Sequence, residues 1–146
     1  MMIRHARQED PYGCAIACVA MLTGATYGEL RAEYLDGLPP SNFAHRRPLV
    51  DCGTTHPCTD GLLARRGFAV ARVWVSGFNA SPVPDPWADA HMVSLQLPVG
   101  QHCIVLLRDG TVLDPAKDAP GRWESYRLYP VDYVAAVVPV HQARAA

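Results

Sequence analysis

The sequence predicts an α+β fold, an N-terminal helical part packed on a C-terminal antiparallel β-sheet. Three observations carry this. Residues 14–22, CAIACVAML, are apolar on nearly every face and are followed by Gly24, the pattern of a buried helix. The second half is a series of short alternating or apolar runs, two of them joined by the tight turn Arg108-Asp109-Gly110. Helices therefore come first and strands after, an order that favours α+β over alternating α/β. The chain has 146 residues, 49% apolar and 18% charged, enough to bury the core of one domain spanning 1–146.

The elements follow in order. The turn Pro11-Tyr12-Gly13 opens the first helix. Thr26, three residues before Glu29, forms a capping-box pattern, and a second helix is expected to run to Tyr34 with Leu30 and Tyr34 on one face. Residues 37–57 are irregular and rich in proline, and long loops of this kind are usually functional or mobile. Thr59 is expected to cap a short helix over 60–66, closed by Gly67. Residues 68–75 read as a strand, with Phe68, Val70 and Arg72 on one side and Val73 and Val75 running into the core. After a second proline-rich loop, strands are expected over 92–97, 101–107 (suited to a central position), 111–113 and 133–140. Asp114-Pro115 ends the strand before it.

Thirteen Lys and Arg against fourteen Asp and Glu give a net charge of −1, which argues against a nucleic-acid partner. No run approaches the length of a membrane-spanning helix, and the first ten residues carry no apolar signal core. Five cysteines, an odd number without an export signal, argue against a disulfide framework, so a cytoplasmic protein with free thiols is expected. Nothing in the sequence sets the oligomeric state.

The candidate chemistry lies in four residues. Cys14 opens the first helix, where the positive end of the helix dipole favours thiolate over thiol. Its own N–H is a first-turn donor with no intrahelical acceptor, suited to a developing oxyanion. Gln8, six residues upstream, offers a side-chain amide as a second donor. His102 begins a strand, and Asp114 ends the next one across the turn. Pairing about Asp109–Gly110 makes them diagonal neighbours, so Asp114 can fix the tautomer and aim of the imidazole.

The run from Gln8 through Pro11-Tyr12-Gly13-Cys14-Ala15-Ile16-Ala17-Cys18 resembles the nucleophile motif of the C39-like, double-glycine-leader cysteine peptidases of the papain-like superfamily. Gly100-Gln101-His102-Cys103-Ile104-Val105-Leu106, followed by Val112-Leu113-Asp114-Pro115, is similar to that family's His strand and Asp-Pro. The stretch from Thr59 to Phe68 is similar to its short middle helix. The resemblance covers roughly 8–115. It implies a papain-like fold, Cys14 as nucleophile, His102 as base, Asp114 orienting it, Gln8 in the oxyanion hole, a peptide or protein substrate, and no cofactor. A deamidase, isopeptidase or transferase on the same residues, or an inactive papain-like binding module, are the alternatives. The family usually carries Cys-Gly at its nucleophile, whereas here Gly13 precedes Cys14. Its His is often followed by a large apolar residue, whereas here Cys103 follows.

Other residues have plainer readings. Cys18 and Cys103 are expected to pack in the core, Cys103 on the opposite face of its strand from His102. Cys52, His56 and Cys58 form a C-x3-H-x-C run, but a structural zinc site needs four ligands and His45 is the one candidate for a fourth, so no metal is expected. Trp74, Trp87, Trp123, Tyr126 and Tyr129 are expected to serve as core or edge cover.

Overall fold

The computed structural model describes residues 3–37, 56–75 and 88–140. Three helices, α1 (Cys14–Thr23), α2 (Tyr27–Ala32) and α3 (His56–Ala64), lie against one face of a six-stranded sheet. The strands are β1 (Phe68–Trp74), β2 (Ala90–Leu97), β3 (Gly100–Leu107), β4 (Thr111–Leu113), β5 (Gly121–Arg122) and β6 (Val131–Pro139). Their spatial order is β1-β6-β2-β3-β4-β5, and every pairing is antiparallel.

The α1 helix has no polar stripe because it has no solvent face: residues 15 through 22 are all buried. It packs on β3 and between α2 and α3. Gly24 ends it in the left-handed region, φ 77°, and returns its N–H to the Ala20 carbonyl at 2.9 Å. The capping box of α2 is present: Thr26 Oγ1 accepts the Glu29 N–H at 3.1 Å, and Glu29 Oε2 accepts the Thr26 N–H at 3.0 Å. Leu30 and Tyr34 are buried on one face, the latter in a π-helical turn, Glu33–Gly37, that continues α2.

Two expectations need correction. The third helix begins at His56, not after Thr59, so Thr59 lies inside it with 2% exposure instead of capping it. Pro57 falls in its first turn, where a missing N–H costs nothing, so the chain enters the helix earlier. Val73 is 64% exposed and not part of the core. β1 is an outer strand: Phe68 and Val70 pack toward the helices, while the alternate face carrying Val73 is open among the described residues. Arg72 holds β1 to α3 through two bonds to Asp60, at 2.5 and 2.7 Å, and lies 4.5 Å from the centre of the Tyr133 ring.

Alternation along the strands builds two cores. Met92, Cys103, Val105, Leu113, Ala135 and Val137 face the helices. Val93, Leu95, Ile104, Leu106, Val112 and Val131 face the other way, under Trp123 from the short 3-10 turn that follows β5. β5 and this turn are elements the sequence patterning did not reveal. Each fully buried Leu, such as Leu22, Leu30, Leu62 or Leu63, contributes about 2 kcal/mol of apolar burial. No helix among the described residues is long and apolar enough to cross a membrane.

Candidate active site

Cys14 is the first residue of α1, and its position is set by the loop before it. The Gly13 N–H donates to the Asp10 carbonyl at 3.1 Å. The Asp10 carboxylate takes the Tyr27 hydroxyl at 2.7 Å and Arg31 Nε at 2.9 Å, which clamps the loop onto α2. The Tyr27 hydroxyl occupies the space a side chain at residue 13 would need: a Cβ there would run into it and lie 2.9 Å from the ring Cζ. Glycine thus precedes the cysteine because Tyr27 crosses the backbone at that point.

His102 and Asp114 come from the sheet. β3 and β4 pair at Val105↔Leu113 and Leu106↔Val112. One further step places Asp114 across from Ile104, and His102 lies two residues along on the same face. The diagonal is bridged directly: His102 Nε2 donates to Asp114 Oδ1 at 2.7 Å, with the two side chains 12% and 5% exposed. Nδ1 is then the ring nitrogen left for Cys14. Asp114 is held from every side. Oδ1 also accepts the Ala116 N–H at 2.9 Å, Oδ2 accepts the Tyr126 hydroxyl at 2.8 Å, and its carbonyl accepts from His5 Nε2 at 2.8 Å. The N-terminal segment laid along this loop adds Gln8 N–H to the Pro115 carbonyl at 2.9 Å and an Arg7–Asp118 pair at 2.5 Å. One stretch of chain thus ties the Asp114 loop to the loop that carries Cys14.

The sulfur meets the imidazole at the edge of β3. β4 starts its pairing only at Val105, so the first half of β3 presents a free edge to the head of α1. There the Cys103 N–H points at Cys14 Sγ, 3.5 Å away. The Cys103 side chain is the strongest influence lowering Cys14, ahead of the burial that raises it, and the His102 ring and its charge lower it further. Together they hold the Cys14 thiol down to about 4. Burial depresses His102, but its bonds and charge pairing with Asp114 and Cys14 prevail and raise it to about 9. Burial likewise works against ionised Asp114, yet the donors His102, Ala116 and Tyr126 keep it below its ordinary value. Between those limits the resting pair is thiolate and imidazolium.

Cys14, His102 and Asp114 are therefore brought together. Gln8 is beside them in sequence but otherwise engaged: its Nε2 donates to the carbonyls of Asp10 and Pro11, at 3.1 and 3.0 Å. Its Oε1 is buried and finds no hydrogen-bond partner among the described residues. Two members of the site were read from sequence only as packing. Tyr126 braces Asp114 instead of merely covering an edge, and nothing in its spacing signals this. Cys103 does face the helices, opposite His102, and is 8% exposed, yet it too reaches Cys14.

Cys18 is fully buried one turn along α1, and Trp123 is buried, while Trp74 is 60% exposed and edge-on to Tyr133 at 5.2 Å. In the zinc-like run, Cys58 is buried in the core; Cys52, His45, the His56 side chain and Trp87 lie outside the described residues. No cluster of three His, Cys, Asp or Glu suited to a metal occurs among the described residues.

No protein-family model matches the sequence, and no curated protein does. Solved structures do match. A double glycine motif protease from an AMS/PCAT transporter, in complex with the leader peptide, superposes with a TM-score of 0.60 at 15% identity, covering 94% of this chain and 92% of that one. The peptidase domain of Streptococcus ComA, a bifunctional ABC transporter of a quorum-sensing pathway, gives 0.60 at 14% identity, covering 94% and 98%. Helices packed on a six-stranded antiparallel sheet, over nearly the whole chain, give this protein a fold similar to that of double-glycine-motif peptidase domains.

Proposed function

We propose that this chain is a cysteine peptidase with a papain-like site, a single domain acting on a peptide or protein substrate. One observation carries the reading: a buried carboxylate holds an imidazole at 2.7 Å, and a thiol at the head of a buried helix is set against the next residue of the same strand at 3.5 Å, with the thiol depressed and the imidazole raised. A leader peptide bound to one structural neighbour supports a peptide as the substrate class. The free state of Cys14, Cys18, Cys58 and Cys103 agrees with a reducing, cytoplasmic setting.

In this mechanism the Cys14 thiolate attacks the scissile carbonyl carbon. The carbonyl oxygen takes up the negative charge, and the Cys14 N–H receives it. Gln8 supplies a second donor when its amide exchanges one of its two carbonyl acceptors for the oxyanion, a neutral hydrogen bond for a charge-assisted and stronger one. The His102 imidazolium gives its proton to the departing amine, leaving a thioester on Cys14. Neutral His102 then takes a proton from water, the hydroxide attacks the thioester, and the acid leaves as the thiolate re-forms. Asp114, fixed by Tyr126 and Ala116, keeps Nδ1 aimed at the sulfur throughout.

The test is turnover on a peptide library that includes double-glycine sequences, followed by mass spectrometry. A split chain marks peptidase activity, whereas a gain of about 1 Da without a split marks side-chain deamidation. Cys14→Ala is expected to lower kcat by a factor of at least ~10³. An unchanged rate in that variant rejects the mechanism.

A further inference from the structure

We propose that Cys14 and Cys103 form an oxidant-responsive thiol pair, in which peroxide-oxidised Cys14 is captured by Cys103 as a reversible disulfide. No peptide-cleaving step moves a proton to or from the Cys103 thiol, yet its placement is specific. Its backbone N–H lies 3.5 Å from Cys14 Sγ, and the two side chains influence each other strongly, the thiol of Cys103 being raised by Cys14. Its own sulfur sits 3.7 Å from the Tyr133 hydroxyl. Cys103 on β3 and Tyr133 on β6 both lie opposite Ser94 on β2, and that small residue lets the hydroxyl reach across. Exposure divides the roles. Cys14 is only half-buried and meets oxidant first, whereas Cys103 is 8% exposed and meets Cys14.

The chemistry balances with hydrogen peroxide as the oxidant. The Cys14 thiolate attacks one peroxide oxygen and the O–O bond breaks. Hydroxide leaves and is protonated to water, and Cys14 becomes a sulfenic acid. Thiolate charge on Cys14 opposes ionisation of Cys103 in the resting state, and that charge disappears once the sulfur carries oxygen. Cys103 then gives up its proton, its sulfur attacks Cys14, and the S–S bond forms as the S–O bond breaks. The departing hydroxide takes the proton and leaves as a second water. The Tyr133 hydroxyl donates to the Cys103 sulfur as charge develops there. Cys18 is the other nearby thiol, but it is fully buried on the same helix as Cys14, and burial first, then the Cys14 and Asp114 charges, hold it protonated.

Loss of turnover on oxidation rests on the peptidase reading; the bond itself rests on the placement of Cys103 against Cys14 Sγ. The test treats the full chain with hydrogen peroxide and reads intact mass without reductant. Wild type is expected to lose about 2 Da, with a Cys14–Cys103 cross-linked peptide that dithiothreitol separates. Cys103→Ser and, as a second variant, Cys103→Ala are expected to gain about 32 or 48 Da on Cys14, irreversibly, as sulfinic and sulfonic acids. Cys18→Ala is expected to keep the cross-link. Equal accumulation of sulfinic acid in wild type and both Cys103 variants overturns the proposal, as does a cross-link from Cys14 to Cys18. If the cross-link forms but the reduced protein cleaves no peptide, the peptidase reading falls and the thiol pair stands. If peptides are cleaved and peroxide inactivation of wild type resists dithiothreitol, the thiol pair falls and the peptidase reading stands.

Discussion

Removing the imidazole tests the geometry at its centre. In His102→Ala the Cys14 sulfur keeps the N–H and S–H of Cys103 but loses the hydrogen bond and the charge of His102. A hydrogen bond to a charged group is worth about 1.5–3 kcal/mol. At 1.36 kcal/mol per unit, the lost bond is about one to two pKa units, and the smaller loss of charge adds to it. The wild-type thiol stands at about 4, so the variant midpoint is expected to rise by more than ~1 unit, still below a free thiol because the Cys103 N–H continues to donate. The assay is the pH dependence of alkylation by iodoacetamide, each protein normalised to its own high-pH plateau. Midpoints are the right readout, because a thiolate of higher pKa is intrinsically the better nucleophile and its faster plateau rate masks part of the lost ionisation. A variant midpoint within one unit of wild type means the imidazole does not touch the sulfur. A wild-type midpoint near 9 refutes the thiolate altogether.

Asp114→Asn keeps an acceptor beside His102 but removes the charge that, with Cys14, raises it to about 9 against its burial. The raised group holds its proton below that value and loses it above. The alkaline limb of kcat/KM is therefore expected to drop by at least ~1 unit toward the ordinary histidine range, and a limb still at about 9 contradicts the role given to the carboxylate. Gly13→Ala forces a methyl into the Tyr27 hydroxyl, which Asp10 holds in place, and is expected to cost about 1–3 kcal/mol, read as a lower urea midpoint. Adding Tyr27→Phe to that variant is expected to recover part of the loss, and an unchanged midpoint in Gly13→Ala alone removes the argument for glycine at this position.

Local chemistry made much of the fold legible. The Gly24 stop, the Thr26/Glu29 box and the Gly110 turn are each decided within a few residues, and each stands where the sequence placed it. Errors arose where tertiary context decides. Val73 has the residue type of a core strand, but β1 is the last strand on its side of the sheet among the described residues and exposes that face. Thr59 is a good cap by composition, yet the helix had already started at His56. The candidate triad was legible for a similar reason to the turns: His102 and Asp114 are coupled through a tight hairpin whose register the turn fixes. Tyr126 was not legible, because it returns to Asp114 through β5 and the 3-10 turn, elements too short to leave a periodic trace.

Cys103 shows where strand periodicity stops being informative. Consecutive residues of a strand point to opposite faces, so a group touched by His102 ought to be out of reach of Cys103. That rule holds inside a sheet, where hydrogen-bonded neighbours wall off the edges. Here β4 leaves β3 unpaired from Cys103 back toward Gly100, and the head of α1 brings a sulfur to the opening. A group lying at a strand's edge belongs to neither face, so it meets the backbone N–H and the side chains of both. The same opening gives Cys14 an imidazole on one face and a thiol on the other. Hence the base of the proposed hydrolysis and the partner of the proposed disulfide are adjacent residues: substitution at Cys103 is expected to abolish the disulfide while raising the Cys14 midpoint, and substitution at His102 removes the base itself.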